Sequence, residues 1–174
     1  MTETAIEELL AKQAITETLY RYCRAFDRID DALSRTIWHA DGTCNYSNRA
    51  GVPDMLFSDY LGPSAAFRRV YRNHSHQVTN ILIKLAGAKA VSEAYFTASL
   101  QSEPKDGIIT EHLYRGRYLD RWSRRDGVWG IDHRQVIFDS YTPLDFAADR
   151  LGAAGLELSR RDSTDPSYAH LESV

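Results

Sequence analysis

At residue 75 the apolar period of the chain changes from helical to strand-like, and this fixes the order in which its elements can be laid down. Before that point, apolar residues recur at Ile6, Leu9, Leu10, Ile15, Leu19, Tyr22, Cys23 and Phe26. The three-and-four spacing marks one face of a helix sustained for about five turns. Thr4-x-x-Glu7 reads as a capping box at its start. Asp30 or Asp31 can cap a second, shorter helix through Leu33, Ile37 and Trp38, which Asp41-Gly42 closes. Cys44 to Tyr46 is short and strand-like. Gly62-Pro63-Ser64 opens a third helix from Ala65 to Tyr71, with proline suited to its first turn.

The runs His76–Leu85, Ala90–Gln101, Glu111–Trp122 and Val128–Phe138 are long and rich in β-branched and aromatic residues. Ala86-Gly87-Ala88 and Arg125-Asp126-Gly127 read as tight hairpin turns, and Pro104 to Gly107 closes the middle pair. Helices first and a meander of strands after is an α+β order. It predicts a curved, mainly antiparallel sheet with three N-terminal helices over its concave face, enclosing a cone-shaped pocket. Residues 1–146 are expected to form this domain. Residues 147–174 read as a partly disordered C-terminal extension, with a weak helix between Leu144 and Leu158 and a loose tail over the last dozen residues.

A chain of 174 residues can bury one core and a ligand cavity. Its formal charge of −3 gives no reason to expect nucleic acid, and the arginines at 68–72 and 115–125, interleaved with acids and aromatics, read as a solvated strand face. Cys23 and Cys44 are too few for a disulfide scaffold and fit a reducing compartment as small apolar fillers. The acidic start, Met-Thr-Glu-Thr-Ala-Ile-Glu-Glu, lacks the basic and apolar regions of a signal peptide, and no apolar run approaches a membrane span. A cytoplasmic location with neither membrane nor nucleic acid as partner is the expectation.

The chemistry concentrates on Asp27 and His76. An Asp at a helix end and a His at the start of a strand can form a base–orienter pair, in which the carboxylate accepts one imidazole N–H and leaves the other nitrogen as a general base. The plainer alternatives are a solvated Asp and a hydrogen-bonded core His. Asp27 beside Tyr22 and Phe26 on the apolar stripe favours the pair, because a buried carboxylate needs a partner. With no Ser or Cys nucleophile motif alongside, the pair suggests proton abstraction. His74-x-His76 could hold a metal, but His112 and His133 show no ligand spacing, so neither metal nor cofactor is expected. On the last strand parity admits either His133 or Arg134 to the pocket, and Trp129 in the core favours His133 unless a bulge intervenes. The aromatic residues Phe26, Trp38, Tyr46, Phe67, Tyr71, Phe96, Tyr118 and Phe138 suit an apolar, ring-bearing ligand.

Tyr22-Cys-Arg-Ala-Phe-Asp27, His76-Gln-Val-Thr-Asn80 and Asp126-Gly-Val-Trp129, in this order, resemble the SnoaL-like branch of the nuclear-transport-factor-2-like superfamily over residues 5 to 146. Within it the pattern is most like the cofactor-free lyases: hexachlorocyclohexane dehydrochlorinase, bile-acid 7α-dehydratase and scytalone dehydratase. The resemblance to the first implies that Asp27 and His76 are its catalytic dyad and that Arg134 stands near the leaving group, with Tyr141-Thr-Pro-Leu144 matching the segment that follows. Resemblance to the second implies a role for Tyr22, and to the third for Tyr46. The third also has a second pocket His on the strand matching 90–101, absent here, and a Ser and Asn pair where this chain has Gly116 and Tyr118; its substrate does not carry over.

The resemblance thus implies a cofactor-independent, dehydratase-type elimination from a hydrophobic cyclic or aromatic molecule. It also implies a homo-oligomer, a trimer ahead of a dimer, which the outward aromatics of the long strands suit. Alternatives on the same fold are a non-catalytic binding protein, an oxygenase β-subunit-like partner, an isomerase and a formaldehyde-releasing lyase.

Overall fold

The four long runs pair in chain order. In the computed structural model, which describes residues 3–47, 51–148 and 155–174, β3 (Tyr71–Ala86), β4 (Lys89–Ser102), β5 (Ile108–Arg125) and β6 (Val128–Ala147) form an antiparallel meander. Two turns pair an Asp with a Gly: Asp106 and Gly107 have φ of 52° and 78°, Asp126 and Gly127 have 50° and 82°. Left-handed geometry at both central residues matches the twist of the flanking strands. β1 (Trp38–Asn45) lies parallel to β6, and β2 (Met55–Leu56) adds to its outer edge. The order β2-β1-β6-β5-β4-β3 leaves two free edges, so the curved sheet stays open.

Three helices, α1 (Glu3–Asp27), α2 (Asp31–Arg35) and α3 (Phe57–Arg69), precede or interrupt these strands. Ile15, Leu19, Tyr22, Cys23 and Phe26 of α1 join Ala94, Trp122, Ile131 and Val136 of the sheet in one core. The first turns of the predicted stripe find no cover: Ile6, Leu9 and Leu10 are exposed. No helix among the described residues is long and apolar enough to cross a membrane.

Local boundaries differ from the sequence reading where tertiary pairing outweighs periodicity. Helix α1 already runs from Glu3, so Thr4 lies inside it and not at its cap. Asp30 caps α2 by accepting from the Leu33 amide at 2.8 Å, but the helix stops at Arg35. Ile37 and Trp38 leave it because the Ile37 carbonyl accepts from the Ile131 amide at 3.0 Å, starting β1. Gly42, expected to end that helix, sits in an irregular stretch of β1 where a Cβ would come within 2.8 Å of the Ile131 carbonyl oxygen. Helix α3 begins at Phe57, well before Ala65, and holds Pro63 in its interior. Burial of Phe57 and Leu61, with Phe57 stacked on Trp38 at 4.2 Å between centroids, anchors the earlier turns.

The expected helix from Leu144 is strand as far as Ala147, and its residues 149–154 lie outside the described residues. The last dozen residues hold a short helix, α4 (Pro166–Leu171), with proline in its first turn and Asp165 accepting from the Ser167 amide at 3.1 Å. It is tied to α1 and to the cap of α2: Arg24 donates to Ser167 at 2.8 Å, and the Tyr168 hydroxyl donates to Asp30 at 2.8 Å.

Candidate active site

Asp27 is the last residue of α1, and the turn after it is locked. Ile29 takes a left-handed φ of 53°, and the Asp30 amide reaches back to the Ala25 carbonyl at 2.8 Å, as at helix ends closed by a left-handed residue. This delivers the Asp27 carboxylate to β3. One oxygen accepts from the backbone amide of His76 at 3.0 Å; the other lies 2.6 Å from His76 Nδ1. A carboxylate has no hydrogen to give, so Nδ1 carries a proton, and in the neutral imidazole the lone pair is then on Nε2. The two side chains are only 13% and 10% exposed. His76 lines a cavity of about 270 Å³ between α1, α3 and the sheet, while Asp27 backs it from a shallow groove on the outside.

Tyr22, Phe26, Tyr46, Phe67, Phe96, Tyr118 and Phe138 line this cavity with His76. The Tyr22 and Tyr46 hydroxyls are 2.8 Å apart, and either can donate to the other. Burial pushes the phenols of Tyr46 and Tyr118 well above the usual range, and raises Tyr22 against the pull of Arg134. All three are therefore donors at neutral pH and not bases.

Three predicted site residues stand elsewhere. Trp38 packs under Phe57, and the Tyr71 ring meets Phe67, His74 and His112 outside the cavity wall. Arg134 does point inward, and His133 outward, where Thr43 Oγ1 is 2.9 Å from its ring. A bulge between Arg121 and Trp122 in the pairing to β6 shifts the parity after Ile131. Arg134, however, lies behind the wall. It makes two 2.7 Å bonds to Asp120, with neither side chain exposed, and its guanidinium stacks 4.1 Å from both the Tyr22 and Tyr118 rings. Burial opposes its charge, yet the Asp120 carboxylate more than compensates and holds it protonated. It supports two wall tyrosines and is not positioned to touch a leaving group.

The sequence reading missed Tyr60 and Arg68 in the wall, took Tyr114, which also lines it, as mostly structural, and weighed His74 only as a metal ligand. Tyr60, Ser64, Phe67 and Arg68 form one face of α3, a stripe visible only when the helix is started before Pro63. Arg68, read as a solvated surface residue, is 2% exposed. His74 is 3% exposed; burial first, then Arg161, His76 and Arg68 nearby, push its pKa down to about 2, so the ring is neutral. No group of three or more His, Cys, Asp or Glu side chains among the described residues is placed so that it could hold a metal ion. A roomier hollow on the outer sheet face, lined by residues such as Leu82, Val91 and Arg121, contains neither member of the Asp27–His76 pair.

An open, curved sheet with three helices over one face and a cavity between them defines an α+β protein of the nuclear-transport-factor-2-like fold. The SnoaL-like domain family matches residues 7–135, and the chain belongs to it. No curated protein matches the chain. Among solved structures it is similar to a type 2 hexachlorocyclohexane dehydrochlorinase, LinA, with 17% identity and a TM-score of 0.68 over 80% of this chain and 93% of the other. A candidate scytalone dehydratase from Novosphingobium aromaticivorans DSM 12444 gives 19% identity and 0.66 over 82% and 91%. A nuclear transport factor 2-like superfamily protein from Salmonella enterica serovar Typhimurium LT2 gives 16% and 0.65 over 76% and 94%. At these identities the likeness establishes the fold.

Proposed function

We propose that the chain is a cofactor-independent lyase that removes water, or a comparable small group, from a hydrophobic cyclic or aromatic molecule. The observation that carries this reading is the 2.6 Å contact between Asp27 and His76 with the second imidazole nitrogen left to an aromatic cavity. His76 Nε2 takes a proton from carbon. The C–H electron pair becomes a C=C bond, and the neighbouring C–O bond breaks. The Tyr22–Tyr46 pair protonates the departing oxygen, and the proton held on His76 then restores the tyrosine. Asp27 fixes the tautomer and stabilises the imidazolium. At about 270 Å³ the cavity is at the small end of ligand sites, which suits one or two rings. The names of the similar structures, dehydrochlorinase and dehydratase, belong to eliminations and support the class. We place the reaction in the cytoplasm and in a homo-oligomer, trimer ahead of dimer.

The test is a screen of hydroxylated aromatic and steroid-like compounds for mass loss in the presence of a chelator. Loss of water that survives chelation supports the reading. General-base catalysis is worth about 10²–10⁴-fold, so Asp27→Asn and His76→Ala should each cost that order in turnover. Full activity in either variant rules the dyad out, product of unchanged mass indicates an isomerase, and activity restored only by zinc indicates a metal at His74 and His76.

A further inference from the structure

Among the described residues, the polar side chains that line the cavity include two whose hydrogen-bonding capacity is unmet, and they lie near one another. Arg68 spends Nη2 on Asp31 at 2.7 Å and Nε on the Ser64 carbonyl at 3.4 Å, and its guanidinium sits 4.8 Å from the Phe26 ring centroid. Its Nη1 is buried with no partner. Both ring nitrogens of His74 are likewise buried and unpartnered. Buried polar atoms are normally satisfied, and an unpaired nitrogen on a charged guanidinium is among the costliest exceptions. His74 and His76 are alternate residues of β3, with ring centroids 6.1 Å apart, so the unpartnered His74 ring stands beside the base, and the Arg68 guanidinium is close enough to that ring to weigh against its protonation. The carboxylates in this region are committed: Asp27 to His76, Asp31 to Arg68, Asp165 to Arg28.

We propose that Arg68 Nη1 and the N–H of His74 form a seat for a substrate oxygen that bears or acquires negative charge, which makes the substrate a carbonyl compound or its acid. Donors preorganised in a water-poor pocket act most strongly on an oxyanion. In the elimination this deepens the lyase reading and rests on it. His76 removes the proton next to the carbonyl, the C–H pair moves into the C–C bond, and the carbonyl π pair moves onto the oxygen held by Arg68 and His74. When the C–O bond one carbon further breaks, that pair returns, the carbonyl re-forms beside a new C=C bond, and the hydroxide leaves as water with a tyrosine proton. Arg134, which the sequence offers for charge stabilisation, gives Nε and Nη2 to Asp120 and keeps an unpartnered Nη1, but it stands behind the tyrosine wall; Arg68, from the opposite layer, lines the cavity itself and takes that place.

The test is calorimetric binding to the full chain of 2-naphthoate, 2-naphthamide and a series of 2-naphthols of graded acidity. At least a tenfold preference for 2-naphthoate over the amide, or affinity rising with naphthol acidity, is expected. The first outcome identifies a standing carboxylate, the second an oxygen charged during reaction, and both support the seat. Arg68→Met should abolish the preference and Arg68→Lys retain part of it. His74→Phe keeps a ring and should reduce it several-fold even if Arg68→Met fails to fold. Equal binding of charged and neutral probes, or a preference unchanged in a folded His74→Phe and in a folded Arg68→Met, overturns the proposal. Repeating the titration in His76→Ala and assaying the unaltered chain for turnover separates the two readings: a preference that persists in the variant while the unaltered chain eliminates from no compound leaves the seat and removes the lyase, whereas elimination by the unaltered chain without the preference does the reverse.

Discussion

Arg134 and Asp120 are two opposite charges with no exposure, joined by two bonds in one plane. Removing one member leaves the other buried and alone, a loss of about 3–5 kcal/mol in comparable sites. Asp120→Asn should therefore lower the denaturation midpoint sharply, and Asp120→Leu with Arg134→Met should recover much of it, read by chemical unfolding. A double variant no more stable than Asp120→Asn would show that the tyrosine stacking on Arg134 matters more than the charge pair. Gly116 is equally constrained: a Cβ there would lie 2.1 Å from the Ile137 carbonyl oxygen and 2.9 Å from the Phe96 ring. Backbone cannot yield as a flexible side chain can, so Gly116→Ala should cost on the order of 1–3 kcal/mol as overpacking. The absence of a side chain at 116 also leaves room for Phe96 to stack on Tyr118 at 4.4 Å.

At the scale of elements, the C-terminal segment fastens the end of α1 that carries Asp27. Arg161 donates to the carbonyls of Asp27 at 3.2 Å, Arg68 at 2.6 Å and Tyr71 at 2.7 Å, so one side chain joins α1, α3 and β3 beside the site. Asp165 anchors the segment. Burial raises its carboxyl, but bonds from Ser167 and the Arg160 amide, with Arg28 close by, outweigh that and hold it below the ordinary carboxylate range. A group with a depressed folded pKa contributes stability above its unfolded value and loses it as pH falls through the folded one. The segment should thus be held at neutral pH and loosen progressively below a pH of about 4, the unperturbed Asp value. Hydrogen exchange at residues 155–174 across that range checks it. Asp165→Asn should exchange faster already at pH 7 and lose the acid step; an unchanged profile would show that Asp165 is not the anchor.

For the whole molecule, the exposed apolar residues fall in groups. Leu82, Val91 and Tyr95 lie on β3 and β4, Phe138, Tyr141 and Leu144 follow one another on β6, and Ile6, Leu9 and Leu10 are uncovered on α1. Apolar surface on long strands favours self-association. Sedimentation should give an oligomer, trimer first and dimer second, and Leu82→Arg with Val91→Glu should dissociate it if the β3–β4 face is the contact. A concentration-independent monomer would refute assembly altogether.

The sequence by itself determined the class of fold, because the switch from a three-and-four apolar spacing to long β-branched runs is local chemistry that no distant contact reverses. It also supplied Asp27 and His76, each on an element whose type was plain, together with the Asp-Gly turns, whose backbone demand is written in two residues. Tertiary structure decided the rest. Whether Ile37 and Trp38 extend a helix or open a strand depends on Ile131, 94 residues beyond Ile37. Arg134, and not His133, faces inward because one bulge reverses strand parity, and Asp120 then claims it. Arg68 looked like surface because charge predicts exposure on average; it is buried because α3 turns that face toward Phe26 and the cavity, where hydrogen-bond partners are specified by neighbours that sequence order does not bring together.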